Sequence, residues 1–270
     1  PQPDRLAGSG LVYPDSLRAR IVAIAEREWV LFGQPAVSYM AFAPVLTQSG
    51  LTENDPEAFV SVLAYWSILQ PHDRRWASYI ASQERAYGDG SGSPWTRTPW
   101  SAAFVSYVML TAGIDFTPNA AHAAYVDDAI ARTERFGSRT VYEAMEYDAV
   151  RPAPGDLLCS DGFGREGSRS EVDPVERRVE SLAAFRALPR PARLSRALHC
   201  DIVWKVDVEA RVLYAIGGNV ADGVAQSAFP LDERGCAVRR YPPELRGERT
   251  FFTLLRLNTR TPTETTPCRP

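Results

Sequence analysis

The side chain with the clearest potential for chemistry is Ser101, which opens an apolar segment that runs to Gly113. Thr98 is a good N-cap residue and Pro99 suits the first helical position, so this segment is predicted to be a helix. Ser101 would then lie in the first turn, where free backbone N–H groups and the helix dipole stabilise negative charge. A serine nucleophile would benefit from that position. The alternative is an ordinary first-turn serine.

A serine nucleophile needs a general base, and the sequence offers three histidines, His72, His122 and His199. His199 opens a segment rich in β-branched residues, and it is the preferred base, although it could be a satisfied strand histidine. His122 lies in a predicted helix and could face a cleft or the core. His72 follows a proline at a helix end, which favours the surface.

Two polar side chains could orient the His199 ring. Asn219 follows two glycines after a predicted strand, where a turn would present its amide at the edge of the same sheet, or it could be a turn former only. Strand alternation places Asp201 on the same face as His199, with Cys200 on the other face. Asp201 could tune the imidazole, or it could pair with one of the many arginines.

Helices are predicted first along the chain and strands later. Apolar residues recur at helical spacing in residues 14–32, 56–69, 76–86 and 120–135. Short runs rich in β-branched or aromatic residues predict strands at 156–159, 199–206, 211–216 and 251–257. This order indicates an α+β fold in which an N-terminal helical layer packs on an antiparallel sheet.

The predicted boundaries divide the chain near the Gly- and Ser-rich segment before Ser101. Residues 1–94 form a helical region packed on the core, and residues 95–270 form the catalytic core. A polar insertion, residues 160–198, interrupts the core and could be a lid or decoration.

Composition limits the classes of partner. The 30 basic and 33 acidic residues give a net charge of −3 with no basic block, which argues against nucleic acid. No apolar run approaches the roughly 18 to 20 residues that span a bilayer, so no membrane span is expected. The chain begins with Pro rather than Met, which hints at export.

Four cysteines, Cys159, Cys200, Cys236 and Cys268, lack the C-x-x-C spacing of a zinc site. Two disulfides or four free thiols both fit this count. No metal or organic cofactor is predicted.

Four motifs in order carry a family resemblance: PWSAAFVSYVM at 99–109, PGDLLC at 154–159, HCDIVW at 199–204 and GGNV at 217–220. Over roughly residues 95 to 225 the chain resembles the catalytic core of the CHAP and NlpC/P60 peptidoglycan hydrolases. More specifically, it is similar to the bacterial DUF2272 family. The resemblance implies a papain-like fold.

The resemblance also implies roles for individual residues. Ser101 takes the position of the nucleophilic cysteine, His199 that of the base and Asn219 that of the orienting residue. The residues expected to line the substrate site are Trp95, Trp100, His122 and Asp201. The fold resemblance makes the strands of Cys159 and Cys200 neighbours, and Cys236 could pair with Cys268 to pin the C-terminal tail.

The activity implied is hydrolysis of an amide bond in cell-wall peptide, by an amidase or endopeptidase that is periplasmic or secreted. Ser101 would attack the carbonyl and its backbone N–H would help to bind the oxyanion. The expected partner is peptidoglycan or its peptide fragments.

The serine itself departs from the family pattern. A Cys–His pair can rest as a thiolate, whereas a serine keeps its proton until attack and needs a true general base. Three explanations stay open: a native serine enzyme, a catalytically inactive cell-envelope binding protein, and an engineered replacement of cysteine. We favour native serine. A serine esterase or acyltransferase on the same scaffold is a further alternative.

Overall fold

Helices dominate the first part of the fold. The computed structural model describes residues 16–41, 44–90, 98–161, 179–238, 250–259 and 266–268. The helices are α1 (Leu17–Leu31), α2 (Pro56–Ser67), α3 (Arg75–Gly88), α4 (Ser101–Thr111), α5 (His122–Phe136), α6 (Leu182–Ala187) and α7 (Arg190–Leu194), with one 3-10 turn at Gly137–Arg139. Each segment with predicted helical periodicity holds one of these helices.

The strands form one eight-stranded sheet within the described residues. They are β1 (Ala36–Ser38), β2 (Val45–Gln48), β3 (Tyr142–Glu146), β4 (Leu157–Asp161), β5 (Leu198–Asp207), β6 (Val212–Val220), β7 (Gly223–Pro230) and β8 (Thr250–Leu257). Their order is β2-β1-β7-β6-β5-β4-β8-β3. The architecture is therefore a mixed α+β fold with a large open sheet.

The expectation of a purely antiparallel sheet is wrong at one pair. β1 runs parallel to β7, with Val37 opposite Ser227, while the other pairs are antiparallel. Parallel neighbours need a long crossover connection, and here helices and strands from the middle of the chain separate the two. Three residues of β1 give too short a pattern for this pairing to be read from the sequence.

The end of β6 also differs from the prediction. The hairpin to β7 turns at Ala221 and Asp222, whose φ angles are 50° and 59°. Asn, Asp and Gly favour left-handed positions and Ala does not, so Ala221 weakens the hairpin signal at this turn. β6 therefore continues through the glycines that were predicted to end it. Asn219 lies inside the strand, at an irregularity in the pairing with β7, with a φ of 56°.

Helix α4 is the centre of the packing. All of its residues from Ser101 to Met109 are buried, and it packs against α1, α2, β5 and β6. Side chains of α1 and α2 belong to the same apolar cluster as those of α4. A second cluster, which includes Leu158, Val203 and Leu213, fills another part of the sheet. The predicted division into residues 1–94 and 95–270 stays a prediction.

Two disulfides link distant parts of the chain. Cys159 and Cys200 are directly opposite each other in the β4–β5 pair and are bonded, and Cys236 is bonded to Cys268. Both predicted pairs are present: the first was implied by the family resemblance, and the second was expected to pin the C-terminal tail. Both bonds fit a protein of an oxidising compartment outside the cytoplasm. Within the described ranges, no helix has the length and apolarity needed to cross a bilayer.

Both disulfides should contribute similarly to stability. They join residues 41 and 32 positions apart, and loops of this length correspond to about 4 kcal/mol each in the chain-entropy model. We expect Cys159→Ser with Cys200→Ser to lower the free energy of unfolding by about this amount in urea titrations. The double variant Cys236→Ser, Cys268→Ser is the matched comparison, because its disulfide closes a loop of similar length. Free thiols at these positions in unreduced peptides would contradict the assignment.

Candidate active site

Ser101 is the first residue of α4, and this start differs from the predicted one. Trp100 is the N-cap residue, so the helix begins two residues later than Thr98 and Pro99 suggest. The indole of Trp100 is fully buried, and its Nε1 donates to the carboxylate of Glu53. The chain therefore turns into the core at Trp100 before the helix starts. Trp100 is buried in the apolar core, and its place in the lining of a substrate site stays a prediction.

The hydroxyl of Ser101 is bound to a histidine. A hydrogen bond of 2.6 Å joins Ser101 Oγ and Nε2 of His122, the first residue of α5. Ser101 is 5% exposed and His122 is 4% exposed, so this bond is shielded from water. A nucleophile and a base in direct hydrogen-bond contact are the minimum geometry for nucleophilic catalysis. His122, expected only to line the site, is thus the histidine in contact with Ser101.

The loop before α5 is tied to α4, which fixes the distance between Ser101 and His122. The hydroxyl of Ser106, on α4, donates to the carbonyl oxygen of Asn119 and accepts from its backbone N–H. The side chain of Asn119 then accepts from the N–H of Ala121, the N-cap residue of α5. These bonds hold the start of α5 beside the first half of α4.

Tyr125 completes the surroundings of the His122 ring. It follows three residues later on α5, and its hydroxyl is hydrogen-bonded to Nδ1 of His122. Tyr125 is only 2% exposed. Sequence reasoning missed Tyr125. The available signal was its spacing from His122, because side chains three positions apart on a helix are neighbours.

His199 forms a second pair with Asp201. Nε2 of His199 lies 2.8 Å from Oδ1 of Asp201, and both side chains are buried on β5. This contact agrees with the predicted placement of both side chains on one face of the strand. The rings of His199 and His122 are 5.1 Å apart between centroids. The two pairs therefore form one cluster beneath the start of α4.

The other predicted site residues are distributed differently. Asn219 is half-buried in β6, and the group bonded to Nε2 of His199 is Asp201. Trp95 lies outside the described residues, as do its neighbours at 96 and 97. His72 is exposed, as expected. Within the described part of the chain, no three His, Cys, Asp or Glu side chains are arranged to hold a metal ion.

Gly217 provides the space for the His199–Asp201 pair. A Cβ atom at this position would lie 1.9 Å from Oδ1 of Asp201 and 3.1 Å from Nε2 of His199. No side chain fits there unless the carboxylate moves, and Asp201 is fully buried. The glycine that was predicted to mark a turn is instead required by close packing inside β6.

We expect Gly217→Ala to lower the free energy of unfolding by about 1 to 3 kcal/mol, because it displaces the buried Asp201 carboxylate. Gly88→Ala is the matched control, since a Cβ at that helical position meets nothing within 4 Å. Its effect should stay within about 1 kcal/mol. Urea titration measures both changes. Equal free energies for the two variants would contradict the role of Gly217.

Glu53 is an unusual acid next to the site. It is 5% exposed and accepts from Trp100, the residue before the serine. Burial raises the pKa of Glu53 from 4.5 to about 7; the hydrogen bond from Trp100 lowers it and the charge of Asp222 raises it. The carboxyl of Glu53 therefore changes charge near neutral pH.

This raised pKa predicts a pH-dependent stability. Between about pH 4.5 and 7 the folded chain keeps the Glu53 proton that the unfolded chain releases. The folded state thus binds more protons, so the free energy of unfolding falls as pH rises through this window. Relative to the wild type, Glu53→Gln should gain roughly 3 kcal/mol between pH 4.5 and pH 8. Glu57→Gln, at an exposed position in the first turn of α2, should show no such gain in urea titrations.

Comparison with known proteins supports the resemblance to one of the families named from the motifs. The family described as "Uncharacterized protein conserved in bacteria (DUF2272)" matches residues 53–257. No curated protein and no solved structure matches the chain significantly. The matched span includes Ser101, His122, Tyr125, His199 and Asp201 and covers well over half of the 270 residues. The chain belongs to the DUF2272 family.

Proposed function

We propose that this protein is a bacterial hydrolase that cleaves an amide bond in cell-wall peptide, with Ser101 as the nucleophile. The observation that carries the proposal is the 2.6 Å contact between Ser101 Oγ and His122 Nε2 at the first turn of α4. In this proposal His122 is the general base in place of His199, because it is the histidine in contact with Ser101. The cell-wall substrate rests on the resemblance to CHAP and NlpC/P60 enzymes, as does the papain-like assignment of the fold.

The first half of the reaction is acyl transfer to the serine. Ser101 Oγ attacks the carbonyl carbon while His122 Nε2 takes the hydroxyl proton. Backbone N–H groups at the first turn of α4 stabilise the oxyanion, since they have no partner inside the helix. The intermediate then collapses, the C–N bond breaks, and His122 returns the proton to the leaving amine. Water attacks the acyl-serine by the same route and releases the acid.

The His199–Asp201 pair supports this chemistry through charge. When His122 takes up the proton it becomes an imidazolium inside a buried cluster. An isolated buried charge is costly, and a nearby carboxylate offsets that cost. Asp201, held at 2.8 Å from His199, supplies negative charge next to His122. Orientation of His199 by Asn219 stays a prediction.

Burial favours one second candidate, a cell-envelope binding protein without turnover. Ser101, His122 and His199 are between 3% and 5% exposed, and a peptide carbonyl must reach Ser101 Oγ for catalysis. A closed and internally hydrogen-bonded cluster would equally well stabilise the fold of a binding protein that has no turnover. Under either function we place the protein in the periplasm or outside the cell, in agreement with its two disulfides.

Turnover of peptidoglycan fragments distinguishes the candidates. The wild type should release new amino groups from purified fragments, and Ser101→Ala should abolish the release. His122→Ala should lower the rate by about 10² to 10⁴, the usual contribution of a general base. Ser227→Ala is the matched control, since Ser227 is a buried serine on β7. His72→Ala is the control for a histidine. Both should keep wild-type rates.

Other outcomes would overturn the proposal in defined ways. Product from Ser101→Cys alone would identify a silenced cysteine-type site and reject native serine catalysis. Binding of fragments with no product from either form would support the binding protein. Hydrolysis of generic esters without hydrolysis of fragments would instead support an esterase.

A further inference from the structure

The tautomer of His122 decides whether this histidine can act as a base. A neutral imidazole carries one proton, on Nδ1 or on Nε2. Nε2 faces Ser101 Oγ, and it can take the serine proton only if it is bare. The ring proton must then be on Nδ1, where the hydroxyl of Tyr125 is the bonded group. The direction of the His122–Tyr125 hydrogen bond therefore controls the site.

The proposed role of His122 as the base requires one direction for this bond. If Nε2 is bare, Nδ1 carries the ring proton and donates it to the oxygen of Tyr125. Burial, with further contributions from Asp201 and Tyr142, raises the pKa of Tyr125 well above its ordinary value, so the phenol oxygen that accepts this bond keeps its own proton.

We propose that Tyr125 is a positioning residue that accepts a hydrogen bond from Nδ1–H of His122 and so keeps Nε2 bare toward Ser101. The inference rests on the proposed function, because a base at His122 requires a bare Nε2. The tautomer itself is a property of the resting protein.

The opposite arrangement is chemically complete and predicts a different site. Tyr125 would donate to Nδ1, and Nε2–H of His122 would donate to Ser101 Oγ. All of these atoms would still be hydrogen-bonded, but His122 could not accept the serine proton. The two arrangements share the same heavy-atom positions and differ by the position of one proton.

Long-range ¹H–¹⁵N NMR of the ring nitrogens of the full chain separates the two tautomers. The chain has three histidines, so His72→Gln and His199→Gln assign the remaining ring directly. We expect His122 of the wild type to be protonated at Nδ1 and bare at Nε2. A wild-type ring protonated at Nε2 would overturn the proposal, and the variants serve only to assign the signals.

Tyr125→Phe tests whether the tyrosine holds this tautomer. Loss of the acceptor should shift His122 toward the Nε2–H form. Tyr65→Phe is the matched control, because Tyr65 is also fully buried but its hydroxyl donates to Glu28. The control should leave the His122 tautomer unchanged. An unchanged tautomer in folded Tyr125→Phe would contradict the positioning role.

Kinetics separate this inference from the proposed activity. If fragments are hydrolysed, Tyr125→Phe should lower kcat about 10- to 100-fold with KM unchanged, because ground-state binding is not affected. An Nδ1–H tautomer in a protein without turnover would support the role of Tyr125 and reject the hydrolase. Turnover with an Nε2–H tautomer would support the hydrolase, reject the role of Tyr125 and return the role of base to His199.

Discussion

Polar side chains that are cut off from water must satisfy one another, and this requirement controls the centre of the protein. Ser101, His122, Tyr125, His199 and Asp201 are each 5% exposed or less. A buried hydroxyl, imidazole or carboxylate without a partner costs free energy comparable to a large part of the stability of a domain. The first turn of α4, the first turn of α5 and the start of β5 therefore have to meet in one arrangement.

Covalent and steric constraints around the cluster maintain that arrangement. The Cys159–Cys200 bond fixes β4 against β5 beside His199 and Asp201. Gly217 leaves a gap in β6 that the carboxylate of Asp201 occupies, because a Cβ atom there would lie 1.9 Å from Oδ1. Ser106 then ties the loop before α5 to α4. A base and a nucleophile held by such contacts need little reorganisation before reaction.

Local patterns predicted the elements that are long and periodic. The patterns failed for elements that are short or that depend on partners distant in the sequence. Helices α1, α2, α3 and α5 appear where apolar residues recur at helical spacing, and β4, β5, β6 and β8 appear where the apolar runs become short. β1 has only three residues, and its parallel partner β7 lies almost two hundred positions away. The turn between β6 and β7 places Ala221, which is not a typical turn residue, in a left-handed conformation before Asp222. No local signal encodes such pairings.

The sequence by itself determined which chemical groups are available: a serine at a helix start, three histidines, a carboxylate two residues from one of them, and four cysteines. Tertiary structure alone decided which histidine contacts the serine. Ser101 contacts His122, twenty-one residues away, while His199 is held by Asp201. Order along the chain and strand alternation could bring His199 near the serine, but they carry no information on where the first turn of α5 lies. That position follows from packing of α5 against β3 and from the bonds of Ser106, which exist only in the folded chain.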